Sequence, residues 1–300
     1  MNAIAQPLTR AAAAEKSWFT VYSELFKARL TFLVLLTTAV GFYVGSRQQV
    51  DYFLMLHTLL GTALLAGGAS ALNQLWEWKY DAKMRRTQDR PLPSGRLQPP
   101  TVLRIGCASA GVGLIYLALA VNLTTSLLGA ASLLSYLFIY TPLKRMTWLN
   151  TLAGAIPGAL PLLMGWVAAR GEFGRGGLAL FAIQALWQLS HFLPIAWIYR
   201  DEYAKAGFKM LPVLDPQGQR TSRHAVGCTF ALLPISLFPF VFGLAGSVYL
   251  VGALLLGLMF IWFAIQFARQ VTIHSARQLF FASIVYLPAL LGLMVLDKIK

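Results

Sequence analysis

Residues 53–96 read FLMLHTLLGTALLAGGASALNQLWEWKYDAKMRRTQDRPLPSGR. From 53 to 75 the stretch holds no Asp, Glu, Lys or Arg, and at about 1.5 Å per residue it is long enough to cross a hydrocarbon core of about 30 Å. Backbone in such a core must satisfy its own hydrogen bonds, and strand-like alternation is absent, so the segment is predicted to be a transmembrane helix. The helical pattern continues beyond the apolar part until Pro91 and Gly95 break it. Asn73, Glu77 and Asp81 therefore stand at i, i+4 and i+8 toward its polar end. Steps of four residues rotate by about 40° on a helix, so these three oxygen-bearing side chains share one face.

The remainder of the chain repeats the apolar half of this pattern. Its 300 residues are 57% hydrophobic and 12% charged, where a soluble domain carries about a quarter charged residues. Nine segments are candidate spans: 30–46, 53–75, 102–121, 123–140, 152–169, 178–199, 225–246, 248–267 and 279–296. The predicted fold class is all-α, a polytopic membrane protein with about nine transmembrane helices in a single domain over 1–300. Residues 1–26 are expected to be a cytoplasmic N-terminal tail: Arg10, Glu15 and Lys16 interrupt the Ala run, and no apolar core of a secretory signal precedes Trp18. Their low acidity also suits a mitochondrial presequence. Cys107 and Cys228 lie within apolar segments without metal-ligand spacing, which argues against a zinc site or a disulfide framework.

An odd number of spans puts the termini on opposite sides. Assigning loops alternately places twenty of the 25 Lys and Arg on the N-terminal side and five on the other: Arg47, Arg170, Arg175, Lys298 and Lys300. Basic loops stay cytoplasmic, so the expected location is a bacterial cytoplasmic (inner) membrane, crossed many times, with the N-terminus inside. The net charge of +14 is then mostly topogenic, suited to membrane lipid rather than to nucleic acid.

Two long loops on the basic side also carry acids, which topology does not require. In the first, Glu77 and Asp81 would repel one another unless a cation compensates. Two carboxylates and the Asn73 amide oxygen suit Mg²⁺, a hard ion that keeps waters and bridges to phosphate. Arg85, Arg86 and Arg90 follow as bidentate partners for diphosphate oxygens. The plainer alternative is an interfacial helix whose acids pair with Lys79, Lys83 or Arg85 at helical spacing.

The second loop, after span 178–199, holds Arg200, Asp201, Glu202, Tyr203, Lys205 and Lys209. Asp201 or Glu202 is a candidate for a second Mg²⁺ or for orienting the first, and Lys209 for phosphate; a loop salt-bridge set is the alternative. His191 lies mid-span, suited to ligate a porphyrin metal or donate a hydrogen bond to substrate, or else to serve as a buried structural residue. Between spans stand Tyr140, Lys144, Arg145 and Asn150; Lys144 and Arg145 are either ordinary positive-inside residues or, given a tight turn at Pro142, neighbours of the other two loops. The next span, with Gly154, Pro157, Gly158, Pro161 and Gly165, permits close packing and carbonyls opened toward a cavity.

Together these segments resemble the UbiA-type intramembrane prenyltransferases, whose first motif is Asn- and acid-rich with carboxylates four apart. The pattern D-x-x-M-x-R-T-x-x-R-P-L-P-x-G, met by Asp81, Met84, Arg86, Thr87, Arg90, Pro91, Leu92, Pro93 and Gly95, is similar to the haem-farnesylating branch of that family. The likeness extends through Lys27 to Thr31, Tyr140 to Asn150, His191-Phe192 and the series Tyr203, Ala206, Gly207, Met210 to Val213. Where the family's second motif has two aspartates four apart, this chain has Asp201 and Lys205, with Glu202 before the Tyr in place of Asp.

The resemblance implies nine helices around a central, lipid-accessible cavity of haem size. It implies transfer of a farnesyl group from farnesyl diphosphate to a vinyl group of protohaem IX, giving haem O and diphosphate, with Mg²⁺ held by Asn73, Glu77 and Asp81. Arg86, Arg90, Lys144, Arg145 and Lys209 are then anion clamps; Trp76, Tyr140, Phe192 and Tyr203 shield an allylic cation. Tyr203 and, through the haem, His191 become substrate contacts. Haem A synthase or terminal oxidase assembly would use the product. A prenyltransferase of an aromatic quinone precursor is the nearest alternative. An ion-coupled transporter is disfavoured because the acidic groups lie toward one face rather than at the midplane.

Overall fold

The computed structural model describes residues 16–47 and 49–299. Among these residues nine helices are long and apolar enough to cross a membrane, as expected. A short helix α1 (Trp18–Leu25), capped by Ser17 Oγ accepting from the Thr20 N–H, precedes the first span, α2 (Ala28–Gly45). The next two spans are α3 (Tyr52–Asp81) and α4 (Pro99–Ala120). The fourth combines α5 (Leu123–Leu134), a π-helical turn at Ser135–Tyr140 and α6 (Thr141–Met146). Then follow α7 (Asn150–Arg170), α8 (Gly174–Ile198), the short α9 (Arg200–Ala206) and a 3-10 turn at Leu211–Val213. The last three spans are α10 (Gln219–Ser236) continued by α11 (Phe238–Val241), α12 (Ser247–Gln270) and α13 (Ile273–Leu296). Of the tail expected over 1–26, residues up to 15, with Arg10 and Glu15, lie outside the described residues; the rest includes α1.

Two helices start earlier than hydropathy indicates, at Gln219 instead of 225 and at Ile273 instead of 279. Their first turns are polar, and a helix does not stop where the hydrocarbon does. At Ile273 the start is fixed by a reciprocal cap between Thr272 and Ser275.

The axis of the bundle is α7, buried along most of its length and packed on α2, α5 and α8. Small residues let α2 and α7 approach backbone to backbone: a Cβ on Gly165 would overlap the Thr38 carbonyl oxygen, and one on Gly41 the Leu162 carbonyl oxygen. Proline shapes the same axis. Pro161 has no N–H to offer the Pro157 carbonyl, and the Ser132 hydroxyl of α5 donates to that oxygen instead at 3.0 Å. The carbonyl expected to open toward a cavity is thus closed by a neighbouring helix. Large apolar side chains such as Phe32, Leu119, Leu255 and Val285 stay exposed on the outer faces, which suits contact with lipid rather than water.

Lys27, Asp81, Met146, Asn150 and Ile198 stand at one end of the bundle, and Gly45, Tyr52, Arg170 and Gly174 at the other. The α2–α7 contact holds these ends in register. Gly165→Ala is expected to lower unfolding stability in detergent by about 1–3 kcal/mol through overpacking. Gly111→Ala, where nothing lies within 4 Å of the added carbon, is expected to be neutral or slightly stabilising in the same thermal assay.

Candidate functional site

Asn73, Glu77 and Asp81 occupy one face of the last turns of α3 and are 1%, 6% and 1% exposed. Each is met by a cation from elsewhere in the chain. Lys27 Nζ donates to Asn73 Oδ1 at 3.1 Å. Lys144 Nζ donates to both oxygens of Glu77, at 2.8 and 3.1 Å. Arg90 Nη1 donates to Asp81 Oδ2 at 2.7 Å. The helical-spacing alternative, with Lys79, Lys83 or Arg85 as partners, is not what forms: Lys79 lies over Trp78 and Lys83 over Tyr80.

Local structure aims each group. Lys27 sits between α1 and α2 in the left-handed region, with φ 47°, a conformation costing an L residue about 1–2 kcal/mol. It is held there by Gln74 Nε2, which donates to the Glu24 and Leu25 carbonyls at the end of α1. The Asn73 amide is oriented by Thr141, whose hydroxyl accepts from Nδ2 at 3.1 Å and donates to the Tyr136 carbonyl. Lysine has only donors, so Oδ1 must face Lys27. The missing N–H of Pro142 accompanies the π turn at Ser135–Tyr140, which re-aims α6 and brings Lys144 to Glu77. Thr87 closes the end of α3 by donating to the Asp81 carbonyl at 2.8 Å.

The cluster holds two carboxylates and three cations in a poorly solvated place, so each charge depends on its neighbours. Burial pushes the Lys27 ammonium down to about 7, with repulsion from Arg90 and Lys144 adding to it. An anion arriving here would favour the charged lysine. Lys144 also lies 4.5 Å from the Tyr140 ring centroid, a contact that supports a desolvated cation.

Arg86 donates to the Tyr203 hydroxyl at 2.7 Å and stacks on Tyr199 and Tyr203, joining the two polar loops. Arg145 is turned to Tyr80, donating to its hydroxyl at 2.8 Å. Lys209 contributes through its backbone: its N–H donates to the Lys144 carbonyl at 2.7 Å, and its carbonyl accepts from Asn150 Nδ2 at 3.2 Å. This pins the second loop onto α6 and α7.

Glu202 Oε2 is buried without a partner among the described residues. The Asp201 side chain is 86% exposed, with Arg200 Nε at 3.9 Å. The two acids of the second loop are therefore not equivalent, and an exposed, solvated Asp201 does not join the first cluster. His191 faces α13: Nδ1 is 2.7 Å from Ser283 Oγ, and its ring stacks on Trp187 and leans on Phe280. Trp76 is 45% exposed and meets Phe138 edge-on.

Beside the cluster, Arg86, Tyr140, Thr151, Phe192, Ile195, Ala196, Tyr203 and Met210 line a cavity of about 190 Å³. Small-molecule sites commonly measure about 300–1,000 Å³, so the space is narrower than the haem-sized cavity the resemblance implies.

No group of three or more His, Cys, Asp or Glu suited to a metal occurs among the described residues. Two carboxylates and one amide oxygen on a single face nevertheless fit Mg²⁺, which takes few protein ligands and completes its shell with water and phosphate. Residues 34–285 match the UbiA prenyltransferase family. The chain belongs to that family. Within it, the chain is 46% identical over 286 residues to protoheme IX farnesyltransferase of Solibacter usitatus, covering 92% of this chain and 98% of the relative. The same-named protein of Salinibacter ruber is 43% identical over 276 residues, covering 92% and 98%.

Solved UbiA-type folds are also similar. A digeranylgeranylglyceryl phosphate synthase structure has a TM-score of 0.79 at 16% identity, covering 93% of this chain and 98% of that one. A UbiA homologue from Archaeoglobus fulgidus bound to DMAPP and Mg²⁺ has a TM-score of 0.64 at 16% identity, covering 91% and 99%. Like them, this UbiA-family prenyltransferase is a multi-pass helical membrane protein. Lys27 and the pairing role of Lys144 escaped residue-by-residue reading, because both contacts join segments far apart in sequence; the likeness at Lys27 to Thr31 was the only signal for the first.

Removing Lys144 would leave Glu77 buried without its counter-charge. Lys144→Met is expected to lower unfolding stability by about 3 kcal/mol or more, and adding Glu77→Gln to recover much of that loss. Additive losses in thermal unfolding would show that the pair is not coupled.

Proposed function

We propose that the protein transfers a farnesyl group from farnesyl diphosphate to a vinyl group of protohaem IX, yielding haem O and diphosphate. The observation that carries the chemistry is the buried face of Asn73, Glu77 and Asp81 ringed by Lys27, Lys144 and Arg90. Support for the acceptor comes from relatives of 40–46% identity that bear the name protoheme IX farnesyltransferase.

Asn73, Glu77 and Asp81 would hold Mg²⁺, with Glu202 the candidate for a further ligand; when bound, the ion supplies Lewis-acid stabilisation to the diphosphate charge. The chain's own cations do the rest of the electrostatic work. Lys27, Lys144 and Arg90 neutralise the oxygen face before substrate arrives and lie where a diphosphate's oxygens would be drawn. Arg86, Arg145 and Lys209 are outer clamps, with Arg86 and Arg145 held by tyrosines and the Lys209 side chain exposed.

Breaking the allylic C–O bond leaves both electrons on diphosphate and a delocalised farnesyl cation. The vinyl group attacks that cation to form the new C–C bond, and water adds to the resulting porphyrin-side cation with loss of a proton, leaving the hydroxyl of haem O. Donors placed before charge develops need no reorganisation as it forms. Tyr140, Phe192 and Tyr203, which line the cavity, present ring faces to the cation and exclude bulk water. His191 is the candidate haem contact; with Nδ1 at Ser283, Nε2 is the nitrogen left for it. The charge division of twenty to five supports a bacterial cytoplasmic membrane with the N-terminus inside. The product would pass to a reaction or oxidase assembly that uses haem O.

Incubating detergent-solubilised protein with protohaem, Mg²⁺ and either farnesyl or geranylgeranyl diphosphate is expected to yield a more hydrophobic haem from the farnesyl donor. Asp81→Ala should still insert and lose transfer by about a hundredfold or more. Full activity in that variant would remove the metal assignment, and absence of a new pigment with any donor would remove the haem acceptor.

A further inference from the structure

At the end of the bundle away from Asn73, Glu77 and Asp81, a cavity of about 460 Å³ opens between α7, α8 and the segment after α11. Two guanidiniums, Arg170 and Arg175, line it together with Trp166, and Val241, Phe242 and Leu244 form an apolar side. Arg170 is fixed in place. Its Nε donates to the Gly45 carbonyl at 2.7 Å and its guanidinium lies 4.4 Å from the Trp166 ring centroid, so its two terminal nitrogens remain to donate elsewhere. The Trp166 indole is 1% exposed, and its N–H has no acceptor among the described residues.

The acid in the lining, Glu172, is engaged by Arg47 at 2.6 Å. Lys298 stands close by, bonded to the Tyr43 and Ser46 carbonyls, its ammonium lowered by burial and then by Arg170. Of the five basic residues on this side of the chain, four thus converge on one place. Topology disfavours bases here, and of the four only Arg175 and the terminal nitrogens of Arg170 stand without a protein acceptor among the described residues.

We propose that this cavity binds the phosphate headgroup of an anionic phospholipid, with Arg170 and Arg175 on the phosphate and the Val241–Phe242–Leu244 side along the upper acyl chain. Guanidiniums match phosphate oxygens bidentately, and a membrane-boundary cavity with one charged and one apolar wall matches an amphiphile better than a free ion. The inference is independent of the prenyl-transfer reading.

The test uses the full-length protein in neutral detergent, titrated with fluorescent phosphatidylglycerol or phosphatidylcholine. The expected result is saturable binding of phosphatidylglycerol, about tenfold tighter than phosphatidylcholine, and about tenfold weaker in Arg175→Gln. The Arg175 side chain is exposed and makes no hydrogen bond or ion pair among the described residues, so this variant is expected to keep its melting temperature. Val241→Trp, at a 67% exposed lining position, should block the site without touching a charge. Equal binding of the two lipids, or unchanged phosphatidylglycerol binding in both variants, would overturn the proposal. So would displacement by inorganic phosphate as effectively as by lipid, which marks a free-anion site, or preferential displacement by haemin, which marks a porphyrin carboxylate site.

Discussion

Two carboxylates at the membrane end of α3, buried and four residues apart, are the constraint on which the polar end of this protein is built. Left alone they would repel each other and resist burial. The chain resolves this by delivering three cations from separate places: the turn before α2, the loop after α3, and α6. Each delivery needs a local departure from regular structure. Lys27 adopts a left-handed backbone, the loop carrying Arg90 folds back under the Thr87 bond to Asp81, and a π turn redirects α6. Irregular backbone at a functional end is the expected signature of geometry maintained against local preference.

The second polar loop is tied to the same centre less by its charges than by its backbone. The Lys209 amide and carbonyl bond to Lys144 and Asn150, and Tyr203 receives Arg86. The residue that pairs Glu77 is therefore also the residue on which the second loop rests. A change at the oxygen face would be felt through Lys144 in the loop that borders the cavity.

The helices and the shared face of Asn73, Glu77 and Asp81 were legible in the sequence, because a span's length and a four-residue spacing are local properties. The specific partners were not. A salt bridge such as Lys144 to Glu77 joins residues that helical periodicity never relates, so the alternative of pairing with Lys79, Lys83 or Arg85 gives way to long-range contacts. Asp201 and Glu202 differ for a similar reason: neighbours on a short helix point different ways, and of the two only Glu202 has a buried oxygen without a partner among the described residues. Pro157 and Pro161 were legible as interruptions, yet the donor that closes the freed carbonyl, Ser132, comes from another helix.

On the proposed reading, the oxygen face serves internal cations in the absence of substrate and Mg²⁺ with diphosphate in its presence. Titrating the purified protein with Mn²⁺ as a spectroscopic substitute, with and without farnesyl diphosphate, tests this without relying on turnover. The expected result is weak Mn²⁺ binding alone, tighter binding with the diphosphate, loss of the tight site in Glu77→Gln, and stronger diphosphate-independent binding in Lys144→Met. Mn²⁺ affinity that ignores both substitutions would contradict it.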